Sequence, residues 1–96
     1  MTYTINSGGT NIAMYETKGQ LLGMAQTSLD EHLQKHPDIA STPDEYLEKA
    51  AQILANGRPY KNGMLYDGIF ARAYNSAEIG CPIVLTVHNR FRHQPN

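Results

Sequence analysis

The spacing of hydrophobic positions changes period along the chain and predicts strands at both ends with helices between them. Residues 2–6 alternate and are rich in Tyr, Thr and Ile, which predicts a strand that ends at the turn Ser7-Gly8-Gly9. Residues 11–16 pair back on it as the second arm of a β-hairpin spanning residues 1–16. Residues 18–26 fit a short helix or a strand, because their leucines suit both and their glycines weaken both.

Two helices are predicted within residues 28–56. Ser28 and Glu31 have the spacing of a capping box, so the first helix is expected to start at Leu29 and to end before Pro37. The second helix has Thr42 as its N-cap and a stop at Asn56-Gly57. Its apolar stripe is formed by Leu47, Ala50, Ala51 and Leu54.

After Gly57 the period becomes two, which predicts an antiparallel sheet over residues 63–91. Its strands cover residues 64–66, 69–75 and 83–91. In the strand over residues 69–75, one face carries Ile69, Ala71 and Ala73, and the other carries Phe70, Arg72 and Tyr74. In the strand over residues 83–91, one face carries Ile83, Leu85 and Val87, and the other carries Val84, Thr86, His88 and Arg90. The expected fold is a single α+β domain over residues 1–96, with N-terminal helices packed on one face of a C-terminal antiparallel sheet.

Composition is that of an ordinary globular domain, with 41% apolar and 18% charged residues. No apolar run is long enough to span a membrane, and no signal segment is visible at the N-terminus. Cys81 is the single cysteine, so no internal disulfide forms and a cytoplasmic location is expected. No cofactor is indicated.

Charge is distributed unevenly although the net formal charge is only −1. Residues 1–56 carry three lysines against seven carboxylates, whereas residues 57–96 carry five cations, four of them arginines, against two carboxylates. Because arginine forms forked contacts with phosphate, the late strands are candidates for a phosphate-binding face. Scattered surface arginines are the simpler interpretation, and both stay open.

His32 and His36 lie on the same helical stripe as Leu29 and Leu33, which normally faces a core. The two imidazoles are therefore either buried with partners or part of a site, and Lys35 adds a positive charge beside them. A zinc site is the lesser alternative, with a third ligand from His88 or a carboxylate, because no Glu follows the first histidine as in the metalloprotease motif. We expect no metal.

A polar sheet face is expected to meet this helix. Arg72 and Tyr74 from one strand would lie beside groups of the last strand, namely Thr86, His88 and Arg90. With His32 and His36 this set suits metal-free RNA cleavage, in which imidazoles move protons and cations stabilise the phosphate. The alternative is a solvated face of a one-sided sheet. Arg58 and Lys61 are further RNA-contact candidates, or part of an ordinary exposed connection.

These motifs resemble a known family. The run His32-x-x-Lys35-His36-Pro37, then Pro43-Asp-Glu-Tyr46-Leu47 and a strand series ending Ile83-Val-Leu-Thr86-Val, resembles the barnase–EndoU–colicin–RelE (BECR) nucleases over about residues 28–91. The resemblance implies a helix followed by a curved antiparallel sheet and a metal-independent ribonuclease. His32 matches the motif histidine, His36 closes the motif, Thr86 matches a strand hydroxyl, and Arg72 and Tyr74 match loosely.

The chain departs from the family in two places. Gly80-Cys81-Pro82 stands where a glycine-rich turn is usual, and the N-terminal hairpin is an addition. These departures leave open an inactive member or a relative reused for binding.

Three functions follow from these observations. The first is a BECR-type ribonuclease, a toxin or phage effector that cleaves RNA, with tRNA as one candidate, and that has a cognate immunity or antitoxin partner. The second is a small phage or mobile-element protein that binds and inhibits a host protein through its acidic first half. The carboxylates of that half are Asp30, Glu31, Asp38, Asp44, Glu45 and Glu48. The third is a non-catalytic RNA-binding module.

Overall fold

The computed structural model describes residues 1–66 and 69–88, the last three without their side chains. Its elements in chain order are β1 (Thr2–Ser7), β2 (Thr10–Thr17), β3 (Gln20–Ala25), α1 (Gln26–Lys35), α2 (Pro43–Asn56), β4 (Arg58–Tyr60), β5 (Gly63–Tyr66), β6 (Ile69–Ser76) and β7 (Cys81–His88). The predicted Asp67-Gly68 turn and residues 89–91 of the predicted last strand lie outside the described residues.

The described strands form one sheet in the order β1-β2-β3-β7-β6-β5-β4. Two antiparallel meanders, β1–β3 and β4–β7, flank the helices in the chain. They are joined side by side where β7 pairs in parallel with β3, with Gly23 opposite Ile83 and Met24 opposite Val84. The sheet is therefore mixed. The purely antiparallel sheet expected from the sequence is wrong.

The α+β class is confirmed, but the order of helices before sheet is wrong. The N-terminal hairpin is part of the main sheet, and residues 20–25 of the ambiguous segment are a third strand. Gly23 suits that strand because a Cβ there would lie 3.0 Å from Ile12 Cγ2 and 3.1 Å from Ile83 Cδ1. A glycine that weakens a strand in isolation thus allows close packing at the middle of this sheet.

The helix boundaries agree with the local signals at both ends of α2 and at the C-terminal end of α1, which ends at Lys35, before Pro37 as expected. In α2, Thr42 Oγ1 accepts from Glu45 N at 3.1 Å, Pro43 occupies the first turn, and Gly57 N donates to Ile53 O at 2.8 Å. By contrast α1 starts three residues before the expected Leu29, with no side-chain cap, because the chain passes directly from β3 into the helix. Neither α1 nor α2 is long and apolar enough to cross a membrane.

Both helices pack on one face of the sheet and enclose the main core. Its largest fully buried side chains are Leu22, Met24, Leu29, Tyr46, Leu47 and Ile53. A second, smaller cluster on the opposite face contains Ile12, Met14, Cys81 and Ile83, with Ile5 and Ile79 packed against it. The sheet therefore divides the molecule into a helix-covered face and an opposite face.

Candidate functional site

The two histidines of α1 lie beside each other on its half-buried side. The ring centroids of His32 and His36 are 5.7 Å apart with an interplanar angle of 22°, and His32 also stacks on Tyr46 at 5.7 Å and 23°. Nδ1 of His32 is buried and has no hydrogen-bond partner within the described part of the chain. The predicted helical stripe is thus correct, and His32 lies against α2.

Burial lowers the pKa of His32, and the neighbouring His36 lowers it further. His32 is therefore in its neutral form at neutral pH. Lys35 Nζ forms an ion pair with Glu31 Oε2 at 3.2 Å, and both side chains are about 60% exposed. The cation expected beside the imidazoles is thus engaged by a carboxylate one helical turn away.

Arg72 and Tyr74 lie on the other side of the sheet from these histidines. Ala71, between Phe70 and Arg72 in β6, is fully buried in the core beneath the helices. Because successive strand residues point to opposite faces, Arg72 and Tyr74 lie on the face opposite to the helices, and both are exposed. The structure therefore does not bring His32 and His36 together with Arg72 and Tyr74.

The expected neighbours within the sheet are present in the backbone. Thr86 is opposite Arg72 and His88 is opposite Phe70 in the pairing of β6 with β7. A register shift between Arg72 and Ala73 interrupts the simple alternation predicted for β7. The side chains of Thr86 and His88, and the whole of Arg90, lie outside the described residues.

Arg58 and Lys61 belong to the hairpin at the far end of the sheet. Arg58 is exposed in β4, and Lys61 occupies the turn with φ of 54° and its Nζ 5.4 Å from the Tyr60 ring centroid. Tyr60 packs edge-on against Phe70, with centroids 6.3 Å apart. These cations are four strand positions away from β3, which leads into the histidine helix.

Three carboxylates of the helical layer form a feature whose geometry the sequence does not reveal. Asp30 accepts from Gln26 Nε2 at 3.0 Å, Asp44 accepts from Thr2 Oγ1, and Glu48 accepts from Tyr15 Oη at 3.4 Å. We call Asp30, Asp44 and Glu48 the acidic ridge. All three are exposed, and these donors are neutral, so the contacts orient the carboxylates without cancelling their charge.

Contacts between the meander β1–β3 and the helices connect the members of the ridge. Thr4 Oγ1 donates to Gln26 Oε1 at 3.0 Å, and Gln26 in turn holds Asp30. Burial raises the pKa of Tyr15, and the charges of Glu48 and Asp44 raise it further. A groove of about 430 Å³ beside Asp44 is lined by Thr2, Thr4, Gln26, Thr42 and Pro43.

The remaining charges of the helical layer leave it acidic. Glu45 accepts from Ser41 N at 2.9 Å and from Ser41 Oγ at 3.2 Å, and the backbone hydrogen bond lowers its pKa. Lys49 donates its Nζ to the carbonyl oxygen of Ile39. Residues 26–56 carry six carboxylates and two lysines, so this surface is suited to cationic groups.

Thiol and metal chemistry have little support among the described residues. Cys81 is buried, and burial raises the pKa of its thiol, so the nucleophilic thiolate is disfavoured. No group of three or more His, Cys, Asp or Glu side chains in residues 1–66 and 69–85 is placed to hold a metal ion. The rings of His32 and His36 are stacked, with their centroids 5.7 Å apart.

Comparison with known proteins gives no relative. The chain matches no protein-family model, no curated protein and no solved structure at a significant level.

Proposed function

We propose that this protein is a non-catalytic binding protein that uses the acidic ridge to cover a basic surface of a partner protein. The observation that carries the proposal is that Asp30, Asp44 and Glu48 are each oriented by a neutral donor from another part of the fold or from the preceding helical turn. The partner chemistry is a cluster of guanidinium or ammonium groups, such as a nucleic-acid-binding site of a host protein. The cytoplasm is the proposed location.

The acidic ridge favours association with a cationic partner through its preorganised side chains and through its negative electrostatic potential. Thr2 and Tyr15 come from the sheet, so the positions of Asp44 and Glu48 are set by the tertiary fold before a partner arrives. Less side-chain freedom is then lost on binding. Because the carboxylates are exposed, each pair with a partner cation contributes at most about 1 kcal/mol, and the main effect is on association rate and salt dependence.

Ribonuclease activity of the BECR type is the second candidate, and the stacked pair His32–His36 favours it. A neutral imidazole beside a second imidazole provides a base and an acid for attack by the 2′-hydroxyl of RNA. The candidate is weaker because Arg72 and Tyr74 lie on the opposite face of the sheet, which leaves Lys35 as the cation of α1 for the phosphate. A role as a toxin or phage effector with an immunity partner is part of the ribonuclease candidate and not of the binding proposal.

Fluorescence anisotropy with a labelled octa-arginine peptide tests the ridge. We expect salt-dependent binding that weakens in Asp44→Asn and further in the triple variant Asp30→Asn/Asp44→Asn/Glu48→Gln. The matched control is Glu78→Gln, which removes the same charge from an exposed position in the β6–β7 turn. Equal weakening by Asp44→Asn and Glu78→Gln would show that only net charge matters and would contradict the proposal.

Incubation with total RNA in EDTA separates the two candidates. The binding proposal expects intact RNA with the wild-type protein. Cleavage by the wild-type protein that disappears in His32→Ala, while Asp44→Asn still cleaves, would favour the ribonuclease and refute the binding proposal.

A further inference from the structure

The two edge strands of the described sheet differ in how well they are protected from pairing with another chain. At one edge, β4 has three residues and contains Arg58 and Pro59, and a short strand with a charge and a proline resists strand addition. At the other edge, β1 has six residues, Thr-Tyr-Thr-Ile-Asn-Ser, without a charge or a proline. Of the two edge strands that the structure describes, β1 is the one with the length and composition to accept another strand.

The backbone pattern shows which groups β1 offers at its free edge. Met1 and Glu16 exchange both backbone hydrogen bonds, Glu16 N to Met1 O at 2.9 Å and Met1 N to Glu16 O at 3.0 Å. In an antiparallel pair such bonded positions alternate with non-bonded ones. Following the register of β1 with β2, the N–H and C=O groups of Thr2, Thr4 and Asn6 point away from β2.

Side-chain contacts hold this edge in place. Thr2 donates to Asp44, Thr4 donates to Gln26 at 3.0 Å, and Asn6 Nδ2 donates to Asn11 Oδ1 at 3.0 Å. Because all three side chains form hydrogen bonds within their own subunit, the backbone groups of these residues are preorganised for a partner strand. Little additional ordering is required when a second strand pairs with them.

We infer that β1 pairs with β1 of a second copy of this chain, antiparallel about a two-fold axis at Thr4. In this register Thr4 faces Thr4 of the partner subunit, and Thr2 faces Asn6 of the partner subunit. The outward groups of both copies then form about six backbone hydrogen bonds. A two-fold contact of this kind uses the same patch on both subunits and closes as a dimer.

The side chains of β1 are compatible with this pairing. Tyr3, which is 37% exposed, faces Ile5 of the partner subunit, and aromatic with β-branched residues is a favourable cross-strand pair. The two copies of Thr2 lie about 14 Å apart, four residues along the strand. The Asp44 carboxylates held by them are therefore separated by more than the screening length of about 8 Å in physiological salt.

Sedimentation velocity over a range of concentrations tests the dimer. We expect a species of about twice the 10.7 kDa chain mass at high micromolar concentration. In amide hydrogen exchange, the N–H groups of Thr2, Thr4 and Asn6 are expected to be protected in the dimer and to exchange freely on dilution. A chain that stays monomeric at every concentration would overturn the inference.

Substitutions at Thr4 identify the surface. Thr4→Pro removes the outward N–H without breaking a bond to β2, and Thr4→Lys adds a like charge at the two-fold axis, so both are expected to give monomers with an unchanged circular dichroism spectrum. Thr4→Val is a control that keeps the strand and loses only the hydrogen bond to Gln26. Thr27→Lys is a control that adds the same charge at an exposed position of α1. Both variants should remain dimeric. A dimer that persists in Thr4→Pro and Thr4→Lys would place the interface elsewhere and refute the β1 pairing.

Discussion

A methyl group at Gly63 provides the sharpest test of packing in the second meander. Gly63 begins β5, and an added Cβ would lie 2.3 Å from Phe70 Cζ, 2.7 Å from Phe70 Cε2 and 2.8 Å from the carbonyl oxygen of Ala71. Favourable contacts between heavy atoms are about 3.5–4.0 Å. Gly63→Ala therefore requires both an aromatic ring and a backbone segment of β6 to move.

The magnitude follows from these contacts. Overpacking in a core costs about 1–3 kcal/mol, and the upper part of that range applies because one of the close atoms belongs to the backbone. Movement of Phe70 also weakens its edge-on contact with Tyr60, and such contacts contribute about 0.5–1.5 kcal/mol. We expect the free energy of unfolding to fall by about 3 kcal/mol, which lowers the Tm by about 12–24 °C for a domain of this size.

Urea unfolding followed by circular dichroism measures this loss, with Gly80→Ala as the matched control. Gly80 has φ of +89° and no atom within 4 Å of an added Cβ, so alanine there costs only the backbone strain of about 1–2 kcal/mol. In a Phe70→Leu background the cost of Gly63→Ala should shrink, because the ring atoms that clash are absent. A loss no larger than that of Gly80→Ala, or strict additivity with Phe70→Leu, would refute the reasoning.

Two further expectations concern the helices. Thr42→Ala removes the N-cap of α2 and should lower the free energy of unfolding by about 1 kcal/mol, whereas Thr42→Ser should retain it; equal urea midpoints for the two variants would contradict the assigned cap. The lowered pKa of His32 means that the unfolded chain binds a proton more readily than the folded protein, so this histidine makes stability fall as the pH drops through 6.5 toward the folded pKa. Urea midpoints measured between neutral and mildly acidic pH should therefore depend less on pH in His32→Gln, and an unchanged slope would contradict the burial of this ring.

Local signals were sufficient for α2, but not for the start of α1, where the capping-box spacing of Ser28 and Glu31 is not used. Thr42, Glu45 and Gly57 predict both ends of α2, because a cap is formed within a few residues of the backbone groups it satisfies. The parallel pairing of Gly23 with Ile83 could not be predicted in this way, since the partners are distant in sequence and neither has a residue type that identifies the other. For the same reason the segment before α1 stayed ambiguous until its neighbouring strands were known.

The candidate site shows a different limit, because the sequence predicts which residues share a strand face but not which face the helices cover. The polar alternation of Arg72 and Tyr74 suggested a site beneath the histidine helix, yet the helices cover the face of Ala71. Small residues explain that choice: Ala71 in β6 and Ala50 in α2 are both fully buried, and two short side chains allow a helix to approach a sheet closely. A helix placed over Arg72 would instead bury a guanidinium group without a partner, at a cost of several kcal/mol. The alanine face of β6, more than its polar face, therefore indicates where α2 packs. With the helices on that face, the thickness of the sheet separates the imidazoles of α1 from Arg72.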